Sequence, residues 1–138
     1  MHITINTDGG SLHNPGPAAC AFVVTHNKKI ISEGSFFLGK ETNNVAEYSA
    51  VIRALEWAHV FKKKSQLLSI SFVCDSLLLV NQLNGLFKIK NARIRELAFR
   101  IKTLEQEVGV PISYKHVLRE LNQEADALVK SCLFPYHS

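Results

Sequence analysis

From His2 to Asp8 the chain alternates apolar and polar residues, the period-two pattern of a half-buried strand, and Gly9-Gly10 predicts a turn at its end. Ser11 to Pro17, with Asn14-Pro15-Gly16-Pro17, is rich in helix and strand breakers and predicts a loop. Two β-rich runs, Ala19 to Thr25 and Lys29 to Leu38, flank His26-Asn27-Lys28 as the arms of a hairpin, so the opening third reads as an antiparallel meander. The period then changes. From Asn43 to about Phe61 apolar residues recur at steps of three and four without Gly or Pro, which predicts a helix. Leu67 to Cys74 returns to strand character. Ser76 to Leu83 predicts a short helix stopped by Asn84-Gly85, and Ala92 to Val108 a longer one stopped by Gly109 and Pro111. Ile112 to Val117 predicts a last strand and Asn122 to Leu133 a last helix.

The order β-β-β-α-β-α-α-β-α predicts an α/β fold. Its mixed five-stranded sheet has helices on both faces, and the crossovers make the later strands parallel to the first. At 138 residues, with 46% apolar and 20% charged residues, the chain has the size and composition of one globular domain over 1–138, with residues 134–138 as a loose tail. No apolar run is long enough to span a membrane, and Met1-His2-Ile3 enters the first strand without a signal-peptide pattern. Cys20, Cys74 and Cys132 are an odd number set among apolar neighbours, as expected of reduced core thiols in a cytoplasmic protein. The formal net charge of +4 permits polyanion binding without requiring it.

The chemistry lies in where four acids fall. Asp8 closes the first strand, Glu47 lies in the first turn of the long helix, Asp75 closes a later strand, and Asp126 lies in the first turn of the last helix. Strand C-termini and helix N-termini gather at one edge of an α/β sheet, so four acids distant in sequence can converge there. Asp8 shares strand parity with Thr4 and Asn6, and Asp75 with Ser69 and Ser71, so both lie on the polar set. Steps of three and four from Glu47 reach Ala50, Val51, Ala54 and Ala58, a small-residue stripe that turns Glu47 toward the sheet. Crowded carboxylates repel unless neutralised, and the neutraliser suited to oxygen-only ligands is a hard cation such as Mg²⁺. Two such ions about 4 Å apart serve in-line phosphoryl displacement, which suggests phosphodiester hydrolysis. Each acid also has an ordinary explanation: Asp8-Gly9 as a turn pair, Asn44 to Glu47 as a capping box, Asp75 as an N-cap, Asp126 as a helix-dipole partner. Composition and spacing leave both readings standing.

Together, Thr7-Asp8-Gly9-Gly10 with Asn14-Pro15-Gly16-Pro17, Thr42-Asn43-Asn44-Val-Ala-Glu47-Tyr48, Cys74-Asp75-Ser76, and Arg119-Glu120-Leu-Asn122-Gln-Glu-Ala125-Asp126-Ala-Leu128 resemble the type I ribonuclease H family over nearly the whole chain. The resemblance implies cleavage of the RNA strand of RNA–DNA hybrids with two Mg²⁺ or Mn²⁺ ions, leaving 3′-hydroxyl and 5′-phosphate ends. Asp8, Glu47, Asp75 and Asp126 are then the metal ligands, Asp8 shared by both ions. Gly9, Gly10, Asn14, Asn43, Asn44, Ser76, Arg119 and Asn122 are the implied substrate contacts, with polar groups and main-chain amides near strand backbones and RNA 2′-hydroxyls. The implied partner is the hybrid itself, with no membrane and no obligate protein partner, and the protein is expected to be a monomer.

The sequence also departs from better-known bacterial members. Their Gly-His segment before the last acid is replaced by Leu118-Arg119-Glu120, which resembles the archaeal and plant-like branch lacking that histidine. His116 falls within strand pattern and reads as structural. Arg119 is expected to meet a phosphate or to pair with Glu120 or Glu124. Leu77 stands where those members have a polar residue, and their basic protrusion is missing. Only Lys88, Lys90, Arg93 and Arg95 remain as a modest phosphate-binding patch, so weaker hybrid binding is expected. Lys62-Lys63-Lys64 reads as a partner for the C-terminal pole of the long helix. Two other classes compete: a 3′–5′ exonuclease on a related fold, disfavoured because Gly9-Gly10 follows Asp8, and a non-catalytic binding module, disfavoured because no acid is missing.

Overall fold

Ile3, Ile5 and Thr7 are buried while His2 is exposed and Thr4 and Asn6 are half-buried on the opposite face, and this alternation forms β1 (His2–Ser11) in the computed structural model, which describes residues 1–137. The expected turn at Gly9-Gly10 is absent: β1 runs on, pairing Gly9 with Cys20, Gly10 with Ala19 and Ser11 with Ala18. A Cβ on Gly9 would lie 2.3 Å from the Ala46 carbonyl carbon, so this glycine serves close helix–strand approach rather than a turn.

The meander is completed by β2 (Gly16–His26) and β3 (Lys29–Glu41), joined through Asn27 and Lys28 at φ of 51° and 65°. Left-handed values at both central residues match the twist of a two-residue hairpin. Next comes α1 (Asn43–Lys62), capped by Thr42, whose Oγ1 accepts from the Val45 N–H at 3.2 Å. The sequence then passes through β4 (Ser69–Cys74), α2 (Leu77–Leu83), α3 (Ala92–Val108), β5 (Ile112–His116) and α4 (Gln123–Leu133). β4 begins later than the expected Leu67 because that residue is buried in the core as a loop anchor. Gly109 at φ 70° ends α3 in the left-handed conformation that favours glycine.

The sheet order is β3-β2-β1-β4-β5, with β1, β2 and β3 antiparallel and β1, β4 and β5 parallel. β2 is buried on both faces. Phe22 and Val24 join the main core with α1, α2 and α3, while Ala19 and Ala21 meet Val129 and Leu133 of α4 on the other side. The alanine stripe of α1 is fully buried, which lets that helix lie close on β1. Burying each large aliphatic side chain contributes roughly 1.5–3 kcal/mol, enough in sum to hold an unfavourable polar cluster at the sheet's edge.

Short 3-10 turns form at Arg119–Leu121 and Phe134–Tyr136, and the Tyr136 ring stacks on Phe37 with centroids 4.2 Å apart. Of the residues expected in a loose tail, Ser138 lies outside those described. The three cysteines are free thiols, Cys20 and Cys74 buried and Cys132 partly so. Among the described residues no helix is long and apolar enough to cross a membrane.

Candidate active site

Parallel pairing of β1 with β4 brings Thr7 opposite Cys74, so the next residues, Asp8 and Asp75, emerge side by side at the carboxyl edge of the two central strands. The close approach permitted at Gly9 places Glu47, on the first turns of α1, against the same edge. One oxygen each from Asp8, Glu47 and Asp75 lies within 4.8 Å of the others. Asp126, on the first turn of α4, borders the same open groove and forms an ion pair with Lys130 at 2.9 Å.

Burial is the main force on the Asp8 carboxyl, and repulsion from Asp75 and Asp126 adds to it, raising it to about 8 against the pull of the Gly9 amide. Glu47 is likewise raised by burial, to about 7, with the Ser76 hydroxyl and Arg119 opposing and Asp75 adding. Asp75 Oδ2 is shielded from solvent with no hydrogen-bond partner, an uncommon state for a buried oxygen. Its nearest cation is the exposed Arg119, whose Nε lies 3.9 Å away. An orphaned carboxylate oxygen, two carboxyls whose neutral form is favoured by burial and by repulsion from neighbouring acids, and a donor set made only of hard oxygens fit a divalent cation such as Mg²⁺ or Mn²⁺.

The ordinary explanations fail for Asp8, Glu47 and Asp75, while Asp126 does lie in the first turn of α4, where it also suits the helix dipole. Asp8-Gly9 is strand, not turn. The cap of α1 is Thr42, so Asn44 and Glu47 form no capping box. Ser76 rather than Asp75 caps α2, its Oγ accepting from the Leu79 N–H at 3.3 Å. Arg119 pairs with Asp75 and not with Glu120 or Glu124.

The expected substrate contacts divide. Gly9, Gly10, Asn43, Asn44, Ser76 and Arg119 border the acid-lined groove, and Asn14 lies along an adjoining groove that shares Asn43 and Asn44. Asn14 Oδ1 accepts from the Asn43 N–H at 2.9 Å and Asn43 Oδ1 accepts from the Ser11 N–H at 2.8 Å, tying the loop to the start of α1. Asn122 is a correction: it is fully buried, with both ends of its side chain bonded to β1, and so does not face the groove. Lys130 and Ser11 went unnoticed in the sequence. The step of four from Asp126 signals Lys130; nothing local signals Ser11.

His116 ends β5 opposite Cys74, as expected of a structural residue. Lys62 serves a different helix from the expected one, its Nζ donating to Val108 O at the end of α3. Of the basic patch, Arg93 is paired with Glu41, while Lys88, Lys90 and Arg95 are exposed.

A five-stranded sheet of this order with carboxylates at its central edge defines a ribonuclease H-like protein, and the chain matches the reverse transcriptase-like family over residues 6–132. Within that class, the chain belongs to the type I ribonuclease H family. It is 38% identical over 128 residues to ribonuclease HI of Halobacterium salinarum, covering 91% of this chain and 61% of that protein. It is 33% identical over 135 residues to a bifunctional protein of Mycobacterium tuberculosis, covering 96% of this chain and 36% of that one. The chain thus spans less than two thirds of the length of these curated relatives. Among solved structures, LC11-RNase H1, isolated from compost by a metagenomic approach and crystallised with an RNA/DNA hybrid, superposes with a TM-score of 0.92 at 37% identity over 99% of both chains. RNase H1 of Halobacterium salinarum gives 0.89 at 34% identity, covering 98% of this chain and 99% of that one.

Proposed function

We propose that this protein is a divalent-metal-dependent endonuclease that hydrolyses the RNA strand of RNA–DNA hybrids, leaving 5′-phosphate and 3′-hydroxyl ends. The observation that carries this reading is the meeting of Asp8, Glu47 and Asp75 within 4.8 Å, with Asp126 close enough to raise Asp8. The resemblance to a protein crystallised with an RNA/DNA hybrid supports the choice of substrate.

Asp8, Glu47, Asp75 and Asp126 would hold two Mg²⁺ or Mn²⁺ ions. When bound, such ions supply Lewis acidity for an in-line displacement at phosphorus. The protein's own part is positional and electrostatic. Burial, with repulsion from neighbouring acids adding to it, raises Asp8 to about 8 and Glu47 to about 7, so loading the site releases protons and binds more tightly as pH rises. Gly10 carries no side chain beside the groove, which lets a nucleic-acid backbone approach β1, while Gly9 admits the backbone of α1. Asn43 and Asn44 offer amide groups suited to a 2′-hydroxyl, the feature that separates RNA from DNA, while Asn14 holds the loop beside them. Arg119, exposed beside Asp75, supplies a cation for a phosphate near the cut. Three unpaired cysteines suit a reducing cytoplasm, where the protein acts as a monomer.

The test is incubation with end-labelled RNA–DNA hybrid, duplex RNA, duplex DNA and single strands, with Mg²⁺, Mn²⁺ or chelator. Internal cuts confined to the hybrid's RNA and abolished by chelator are expected. Stepwise shortening from 3′ ends, or binding without cleavage, overturns the assignment.

A further inference from the structure

Among the described residues, Thr7 and Asn122 are the only buried polar ones, and they are bonded to each other across 115 positions of sequence: Asn122 Nδ2 donates to Thr7 O at 2.9 Å. Asn122 Oδ1 accepts from Asn6 Nδ2 at 3.0 Å. Both ends of one buried amide are therefore spent on the two β1 residues that precede Asp8. The backbone of Asn122 faces the opposite way. Its carbonyl accepts from the Asp126 N–H at 3.2 Å, and its N–H donates to Arg119 O at 2.9 Å. Arg119 in turn stands 3.9 Å from Asp75.

One residue thus joins the strand that ends in Asp8, the helix turn that carries Asp126, and the 3-10 turn whose arginine meets Asp75. The buried residues of α4 itself, Ala125, Val129 and Leu133, are apolar, Val129 and Leu133 packing on the small Ala19 and Ala21, and such contacts specify a face but tolerate sliding. Two hydrogen bonds in opposite senses do not, because a buried amide that loses its partners is left unsatisfied.

We infer that Asn122 is a positioning residue for the metal site, setting the separation of Asp126 from Asp8 without touching metal or substrate. This rests on the proposed function for the identity of the site, but not for the geometry. Residues that hold metal ligands in place characteristically cost roughly 10- to 100-fold in metal affinity when removed, and a loss of that size is expected here.

The experiment titrates Mn²⁺ into the metal-free full chain, by calorimetry and by the rise in Tm that metal produces, alongside hybrid cleavage. The variants are Asn122→Ala, Asn122→Asp, Asn6→Ala and, as a control for general destabilisation, Leu104→Ala in the core of α3. Asn122→Ala is expected to bind Mn²⁺ at least about 10-fold more weakly and to lose kcat at ordinary metal concentration while KM for hybrid holds. Asn122→Asp keeps the acceptor for Asn6 but turns an acceptor toward Thr7 O, so it is expected to behave as Ala does. Leu104→Ala is expected to lower Tm with Mn²⁺ affinity unchanged. Should Asn122→Ala fail to fold, Asn6→Ala removes one of the two bonds from the outward side of β1 and is expected to give a smaller shift in the same direction. Wild-type Mn²⁺ affinity in a folded Asn122 variant, or in Asn6→Ala if no Asn122 variant folds, overturns the inference while leaving the nuclease reading intact. A wild-type protein that binds no Mn²⁺ overturns both.

Discussion

Replacing Gly9 by Ala tests whether the acid cluster depends on how closely α1 lies on β1. A Cβ built at Gly9 falls 2.3 Å from the Ala46 carbonyl carbon, 2.4 Å from its oxygen and 2.5 Å from the Glu47 amide nitrogen. All three are backbone atoms, so no side chain can swing aside. Restoring an ordinary contact of about 3.5 Å requires the first turns of α1 to retreat by about 1 Å. The retreat acts directly on Glu47 and draws it away from Asp8 and Asp75. Overpacking of this kind costs about 3 kcal/mol, or about 10 °C in Tm for a chain of this length. A misplacement of about 1 Å in a reacting constellation costs roughly 100-fold in rate. The neighbouring Gly10→Ala is the internal control. Its Cβ would meet nothing nearer than Val129 Cγ1 at 3.8 Å, and a stability change within about 1 kcal/mol is expected. Thermal melts and hybrid cleavage at saturating Mg²⁺ read both variants. Equal Tm for Gly9→Ala and Gly10→Ala, with wild-type cleavage by Gly9→Ala, would refute the claim that the close approach sets the site.

Asp75→Asn is expected to abolish cleavage with no loss of metal-free Tm, because Oδ2 has no hydrogen-bond partner to lose; wild-type turnover would remove Asp75 from the site. With chelator present, Tm is expected to fall as pH rises from about 4 to about 8. Asp8, at about 8, and Glu47, at about 7, keep protons that the unfolded chain has already released, so their contribution is full at low pH and lost through those values. Asp8→Asn is expected to flatten that slope, and a chelated Tm that rises over this window, or a slope that Asp8→Asn leaves unaltered, speaks against the burial and crowding of these carboxyls. Lys88→Ala with Lys90→Ala is expected to weaken hybrid binding and to shallow its dependence on salt by up to about two units of log–log slope, measured by titration across ionic strength; an unchanged slope removes these exposed lysines from the phosphate contacts.

The helix over Ala92–Val108 was legible to the residue because Asn91 caps it and Gly109 ends it, both local effects. The long helix was legible from its alanine stripe, and its burial turned Glu47 to the sheet as the spacing implied. The strand through Gly9-Gly10 was misread, because a glycine pair signals a turn locally while its use here depends on Ala46, remote in sequence. Asn122 was misread for a related reason. A polar residue beside a helix start looks like a surface group until its partner on β1 is known.

The order of elements, their approximate ends and the types of the four acids follow from the chain alone, since propensity, periodicity and capping act over a few residues. The family motifs added which acids belong together. Only the folded sheet decided that Asp8, Glu47 and Asp75 meet within 4.8 Å, that Asp75 Oδ2 is left without a hydrogen bond, and that Arg119 turns to Asp75 rather than to its own neighbours. Distances between segments remote in sequence are set by strand register and helix–sheet packing, and those are properties of many contacts at once.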